Sequence, residues 1–76
     1  PTVGGDRLSF CSEHGDYCGK PVADAWCQAV GFEEAVTYLR APASDGTVAR
    51  YADTGGVCRG GACERFGQIK CWSGLN

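Results

Sequence analysis

Residues 21–32, Pro21-Val22-Ala23-Asp24-Ala25-Trp26-Cys27-Gln28-Ala29-Val30-Gly31-Phe32, spell out a helix together with both of its ends. Proline is tolerated in a first helical turn because its missing N–H has no partner there. Asp24 is expected in that first turn, where the helix dipole favours a negative charge. Val22, Ala23, Trp26, Cys27 and Val30 recur at helical spacing and make one apolar stripe. Gly31 is free to take the left-handed conformation that closes a helix, and Phe32 stands where a Schellman cap returns an apolar contact to the last turn. The spacing predicts a helix over about 21–30, with Trp26 in the core.

Outward from this helix the chain reads as short strands. Residues 1–6 contain two glycines and are expected to be a loose start. Arg7 to Cys11 alternates polar and apolar, the period-two pattern of a half-buried strand. Residues 12–19 form a polar loop. Glu34 to Arg40 is rich in β-formers, and Thr47 to Ala52 reads as another strand. A turn at 41–46, marked by Pro42 and Asp45-Gly46, is expected to join the two as a hairpin. Residues 57–65 hold a glycine-rich cysteine loop, and residues 66–72 finish as a strand with Gly67 a candidate bulge.

The order β-α-β-β-β predicts an α+β fold in which one helix packs on a small, mostly antiparallel sheet. A chain of 76 residues has room for one domain, 1–76. At this size folding buries only about 60% of the unfolded surface, so extra staples are needed. Cys11, Cys18, Cys27, Cys58, Cys63 and Cys71 are the obvious ones, and an even count at this density belongs to an oxidising compartment. Their spacings, with a single histidine at His14, do not match the paired spacing of structural zinc sites, so no metal or other cofactor is expected. Cys27 lies on the helix stripe and Cys71 shares a strand face with Ile69, so a Cys27–Cys71 bridge is expected to tie helix to sheet. The pairing of the other four stays open.

Charge narrows the function. Seven basic residues are scattered among nine acidic ones, whereas nucleic-acid binding needs a concentrated positive footprint. No apolar run approaches the roughly 20 residues that span a bilayer. Neither nucleic acid nor membrane insertion is therefore expected. The chain has no initial Met and no leader ahead of Pro1, as expected of a mature secreted product. Catalysis is not expected either, because the only histidine lies in a polar loop and every thiol is expected to be oxidised.

Two binding chemistries remain. Trp72 is expected on the strand face opposite Ile69 and Cys71, exposed, with Tyr17, Tyr38 and Tyr51 as candidates to join it. An aromatic face beside hydrogen-bonding groups suits a flat ligand or a sugar ring, giving a lectin-like surface for an extracellular carbohydrate or protein ligand. Alternatively, Arg59 in the cysteine-braced loop C-R-G-G-A-C (58–63), or Arg40 in Leu39-Arg40-Ala41-Pro42, is a candidate specificity residue of a trypsin-type inhibitor. Such inhibitors present a constrained loop already in its bound shape.

Two patterns carry resemblances. Ala23-Asp24-Ala25-Trp26-Cys27-Gln28-Ala29-Val30-Gly31-Phe32-Glu33-Glu34-Ala35 is similar to the helix segment of scavenger receptor cysteine-rich domains, whose upstream strand and acidic cation cluster have no counterpart here. Cys18-Gly19, Ala23-Asp24, Trp26-Cys27 and Gly31-Phe32, followed by Thr54-Gly55, Cys58, Cys63, Phe66, Ile69 and Cys71, resembles small secreted cysteine-rich proteins of unclear function over about residues 11–72. That resemblance implies an extracytoplasmic scaffold and assigns no site residues. A secreted, non-enzymatic binding protein acting in defence or recognition is the expectation.

Overall fold

The computed structural model describes residues 1–43, 46–61 and 63–74. Ser44 and Asp45 of the expected turn, and Ala62 of the cysteine loop, lie outside the described residues. Helix α1 spans Lys20–Ala29, one residue earlier than the pattern places it. Gly19 precedes it at φ 71°, and its carbonyl accepts from the Ala23 N–H at 2.9 Å. A side chain at Gly19 would meet the Tyr38 hydroxyl at 3.0 Å, so both conformation and space require glycine here.

The far end is the Schellman motif read from the sequence. Phe32 N–H donates to the Cys27 carbonyl at 2.8 Å and Gly31 N–H to that of Gln28 at 3.2 Å, with Gly31 at φ 100°. The Phe32 ring, however, remains 45% exposed, so the apolar half of the cap is loose. Val30, at the cap, is exposed as well, because the chain has already begun to leave the helix.

Among the described residues, six strands accompany the helix. They are β1 (Thr2–Val3), β2 (Asp6–Leu8), β3 (Glu34–Ala41), β4 (Val48–Arg50), β5 (Val57–Arg59) and β6 (Arg65–Trp72). They divide into a four-stranded sheet of order β1-β2-β4-β5 and a two-stranded β3–β6 ribbon. Every pair is antiparallel except β2 with β4. The domain is α+β, with its helix on a small, mostly antiparallel framework.

Two expectations about the strands are corrected. The opening residues are not a loose start: β1 folds back on β2, pairing Thr2 with Arg7 and Val3 with Asp6. Nor do the strands around the 41–46 turn form a hairpin with each other. β3 pairs with β6, while β4 lies between β2 and β5. The reason lies in what each strand buries. Ala35 of β3 and Phe66 of β6 belong to the buried cluster with Val22, Ala23 and Cys27 of α1 and Leu8 of β2, so β3 and β6 together floor the helix. Gly67 is the bulge the sequence suggested: Leu39 pairs with Gln68 and Arg40 with Phe66, leaving Gly67 unpaired.

The helix departs from expectation at two residues. Trp26 is not in the core; it is half-buried at the rim, and its indole N–H donates to the Thr2 carbonyl at 3.2 Å, clamping β1. Asp24 is not a first-turn residue, because the helix begins at Lys20. Its Oδ1 instead accepts from the Ala35 N–H at 2.8 Å and meets Lys20 Nζ at 3.0 Å. The carboxylate thus joins α1 to β3.

The bridges are Cys11–Cys18, Cys27–Cys71 and Cys58–Cys63. The first and last close short surface loops, and Cys27–Cys71 joins α1 to β6 across the core. In the chain-entropy picture a loop of that length contributes about 4 kcal/mol, against about 2 kcal/mol for the shortest of the three. Urea unfolding of the C27A/C71A double variant should therefore show about twice the loss of the C58A/C63A variant. Equal losses would mean that the core bridge adds nothing beyond a local one.

Candidate functional site

The β3–β6 ribbon has two unlike faces. Ala35, Ile69 and Cys71 turn towards the helix, and Phe66 closes that side. By alternation the partners Thr37–Lys70 and Leu39–Gln68, with Trp72 opposite Glu34, turn the other way. Val36 lies at a second register shift and joins them. This outer face is exposed along its length, and the apolar side chains on it are Val36, Leu39 and Trp72.

Trp72 stands at the end of this face, 47% exposed. Its backbone is held because the Trp72 carbonyl accepts from the Glu33 N–H at 2.9 Å and its neighbour Cys71 is bridged to the helix. A Cβ at Gly74 would meet the indole Cη2 at 3.0 Å and Glu33 Oε2 at 3.4 Å. Ring edge and carboxylate therefore bound one small notch, kept open by glycine. Hydrogen-bonding side chains lie along the same face at Thr37, Gln68 and Lys70, whereas the Glu34 carboxylate is engaged by Lys20 of the helix.

The other aromatic candidates do not join it. Tyr38 pairs with Ile69 on the helix-facing side, its ring 5.7 Å from Phe66 in an edge-on contact and 6.0 Å from Phe10. Tyr51 is half-buried at the end of β4, in the other sheet, and its backbone bonds close the turn to Gly55 and Gly56. Trp72, Tyr38 and Tyr51 thus lie on three separate surfaces.

The two arginine candidates also differ. Arg40 is engaged, with its guanidinium 5.0 Å from the Phe10 ring centre and its Nε donating to Glu64 at 2.8 Å. Its backbone is committed to Phe66. Arg59 is exposed on β5, the edge strand, opposite Val48 and directly after Cys58. Gly60 follows at φ 105°, its N–H donating to the Thr47 carbonyl at 2.9 Å.

Two clefts lie elsewhere. One, of about 290 Å³, opens between the two short disulfide loops and brings His14, Glu13, Tyr51 and Glu64 together. His14 Nε2 is 3.7 Å from Glu13 Oε2, Ser9 and Ser12 line the same cleft, and all six cysteines are in disulfides. The other, of about 300 Å³, runs between the Cys11–Cys18 loop, the first turns of α1 and the turn after β4. Sequence reasoning missed it, because its walls come from stretches far apart in the chain. Among the described residues no three His, Cys, Asp or Glu side chains gather as metal ligands, and no helix is long and apolar enough to cross a membrane. No family model, curated protein or solved structure matches the chain.

The charged joint beneath the ribbon is Lys20, Asp24 and Glu34, with Lys20 Nζ also donating to the Ala35 carbonyl at 3.1 Å. The Ala35 N–H, and then Lys20, hold the Asp24 carboxyl below its ordinary value of 3.8. A depressed folded pKa contributes stability that is complete above the unfolded value and lost as pH falls through the folded one. The bond to Asp24 should therefore weaken below about pH 4. Asp24→Ala should cost about 2 kcal/mol at pH 7, as expected for a hydrogen bond to a charged acceptor, and much less at pH 2. Urea titrations of both proteins at the two pH values measure this, and an equal gap at both would contradict the assignment.

Proposed function

We propose that this domain is a secreted, non-catalytic recognition protein that binds a carbohydrate on the solvent face of the β3–β6 ribbon, with Trp72 as the platform. One observation carries the reading: an indole 47% exposed directly after Cys71, which is bridged to the core. An aromatic ring's face is electron-rich, and the C–H groups on one face of a pyranose meet it well. Thr37, Gln68 and Lys70 offer donors and acceptors for the hydroxyls at the ring's edge. Because Trp72 is fixed before binding, little ordering entropy is lost on association. Three disulfides suit an oxidising, extracytoplasmic setting. Tyr38 and Tyr51 have no part in this surface.

A second reading rests on Arg59 alone. Its side chain is exposed on an edge strand and starts a loop closed by Cys58–Cys63, the kind of extended segment a trypsin-like protease pairs with. Arg40 does not serve, because a protease would first have to displace Glu64 from it.

Tryptophan fluorescence titrated with a panel of hexose and N-acetylhexosamine oligosaccharides tests the first reading. At least one should shift the emission saturably, and Trp72→Ala should abolish the response while Trp26→Phe keeps it. A silent panel, or a response that survives Trp72→Ala, would exclude the sugar platform. For the second reading, titration of trypsin with the oxidised protein should give stoichiometric inhibition that Arg59→Ala removes. Full residual protease activity would set that reading aside.

A further inference from the structure

We infer that the cleft beside helix α1 is a binding site for a small organic ammonium ion with an apolar body, separate from the Trp72 face. Its volume, about 300 Å³, sits at the lower end of small-molecule sites, which run from about 300 to 1,000 Å³. Pro21, Val22 and Ala25 of α1 line it together with Tyr17 of the Cys11–Cys18 loop and Ala52 of the turn after β4. Among the described residues of the lining, Asp53 is the charged one.

The Tyr17 ring is presented by construction. Ser12 N–H donates to the Tyr17 carbonyl at 2.7 Å, Tyr17 N–H donates to Ser12 Oγ at 3.2 Å, and Cys11–Cys18 closes the loop around them. The ring nevertheless stays 62% exposed, so the loop holds it at the cleft without burying it. Ala25 and Ala52 are small where longer side chains would fill the space. Asp53 accepts a long bond from the Glu13 N–H, at 3.4 Å to Oδ1.

An aromatic face and a carboxylate on one apolar cleft are together what an ammonium head prefers. The flanking charge agrees. Segments 11–25 and 51–56 carry Glu13, Asp16, Asp24 and Asp53 but one lysine, and Arg50, which reaches the Gly55 carbonyl of the turn, is paired with Asp6. That lysine, Lys20, is already paired with Asp24 and Glu34, and His14 sits beside Glu13. The helix N-terminus weighs the other way, since it favours an anion by about 0.3–1 kcal/mol. Pro21 offers no N–H there, however, and the full charge of Asp53 exceeds the partial charge of a helix end.

The test is an amide NMR titration of the intact oxidised protein with phenethylammonium chloride, 2-phenylethanol and sodium phenylacetate at matched ionic strength. Phenethylammonium should give saturable shifts centred on Tyr17, Ala25 and Ala52, and the other two should bind at least fivefold more weakly. Asp53→Asn, which keeps an oxygen to accept from Glu13, should weaken the ammonium at least fivefold. Ala25→Leu should abolish the shifts by filling the cleft, with the amide spectrum otherwise unchanged. Equal or tighter binding of phenylacetate, an Asp53→Asn protein that binds as the parent does, shifts centred elsewhere, or none at all would each overturn the site.

Discussion

The Cys27–Cys71 bridge is the joint on which the rest of the domain depends. The apolar cluster it crosses holds only six buried residues, Leu8, Val22, Ala23, Cys27, Ala35 and Phe66. A core of that size offsets chain entropy poorly, so a covalent tie replaces part of the missing buried area. The bridge also agrees with the strand register. Cys71 pairs with Ala35, and the Ala35 N–H is the group that Asp24 of the same helix captures. One covalent link, one charged hydrogen bond and the packing of Ala23 and Ala35 thus converge on a single junction between α1 and the ribbon.

That junction explains why the strands divide as they do. β3 and β6 are eight residues long, whereas β2, β4 and β5 have three each. The long pair covers the helix, and the short strands form a separate sheet that meets it through Leu8 of β2 and the bridge from Ser9 to Arg65. Arg50 holds the short sheet together from one side: its guanidinium reaches Asp6 Oδ2 at 2.7 Å and the Gly55 carbonyl at 2.9 Å. The two local disulfides join no elements across the core. They shape loops, and both polar and apolar clefts open beside them.

How much of this was legible depended on the distance over which each signal acts. The helix was read almost to the residue because Pro21, the stripe and Gly31-Phe32 all act within a few positions. The Cys27–Cys71 pairing followed from two face assignments that each needed only local periodicity. Strand partners did not follow. Short connections usually join neighbouring strands, which favoured a β3–β4 hairpin, but the choice is made by what lies under the helix, and the intervening turn carries no trace of that. Asp24 was misread for the same reason, since its partner at Ala35 lies beyond the helix end. Trp72 was placed correctly by alternation from Cys71, whereas Tyr38 and Tyr51 were grouped with it on residue type alone. The cleft between Tyr17 and Ala52 had no local signature at all.

Exposure of an aromatic side chain has a structural cause here, and it is separate from the functional one we propose. The helix approaches the ribbon closely because Ala23 and Ala35 are small and the bridge draws the elements together, so no bulky ring fits between them at that end. A tryptophan on β6 near Cys71 has to lie outside. What packing does not require is an aromatic residue at that place. The same face carries Thr37, Gln68 and Lys70, side chains that water satisfies at little cost, and a polar residue at 72 would keep the ladder and the bridge intact. The indole instead leaves apolar area in water at a domain whose stability margin is thin. On the proposed reading a ligand completes that apolar area, and the disulfide beneath it holds the backbone of the platform in place.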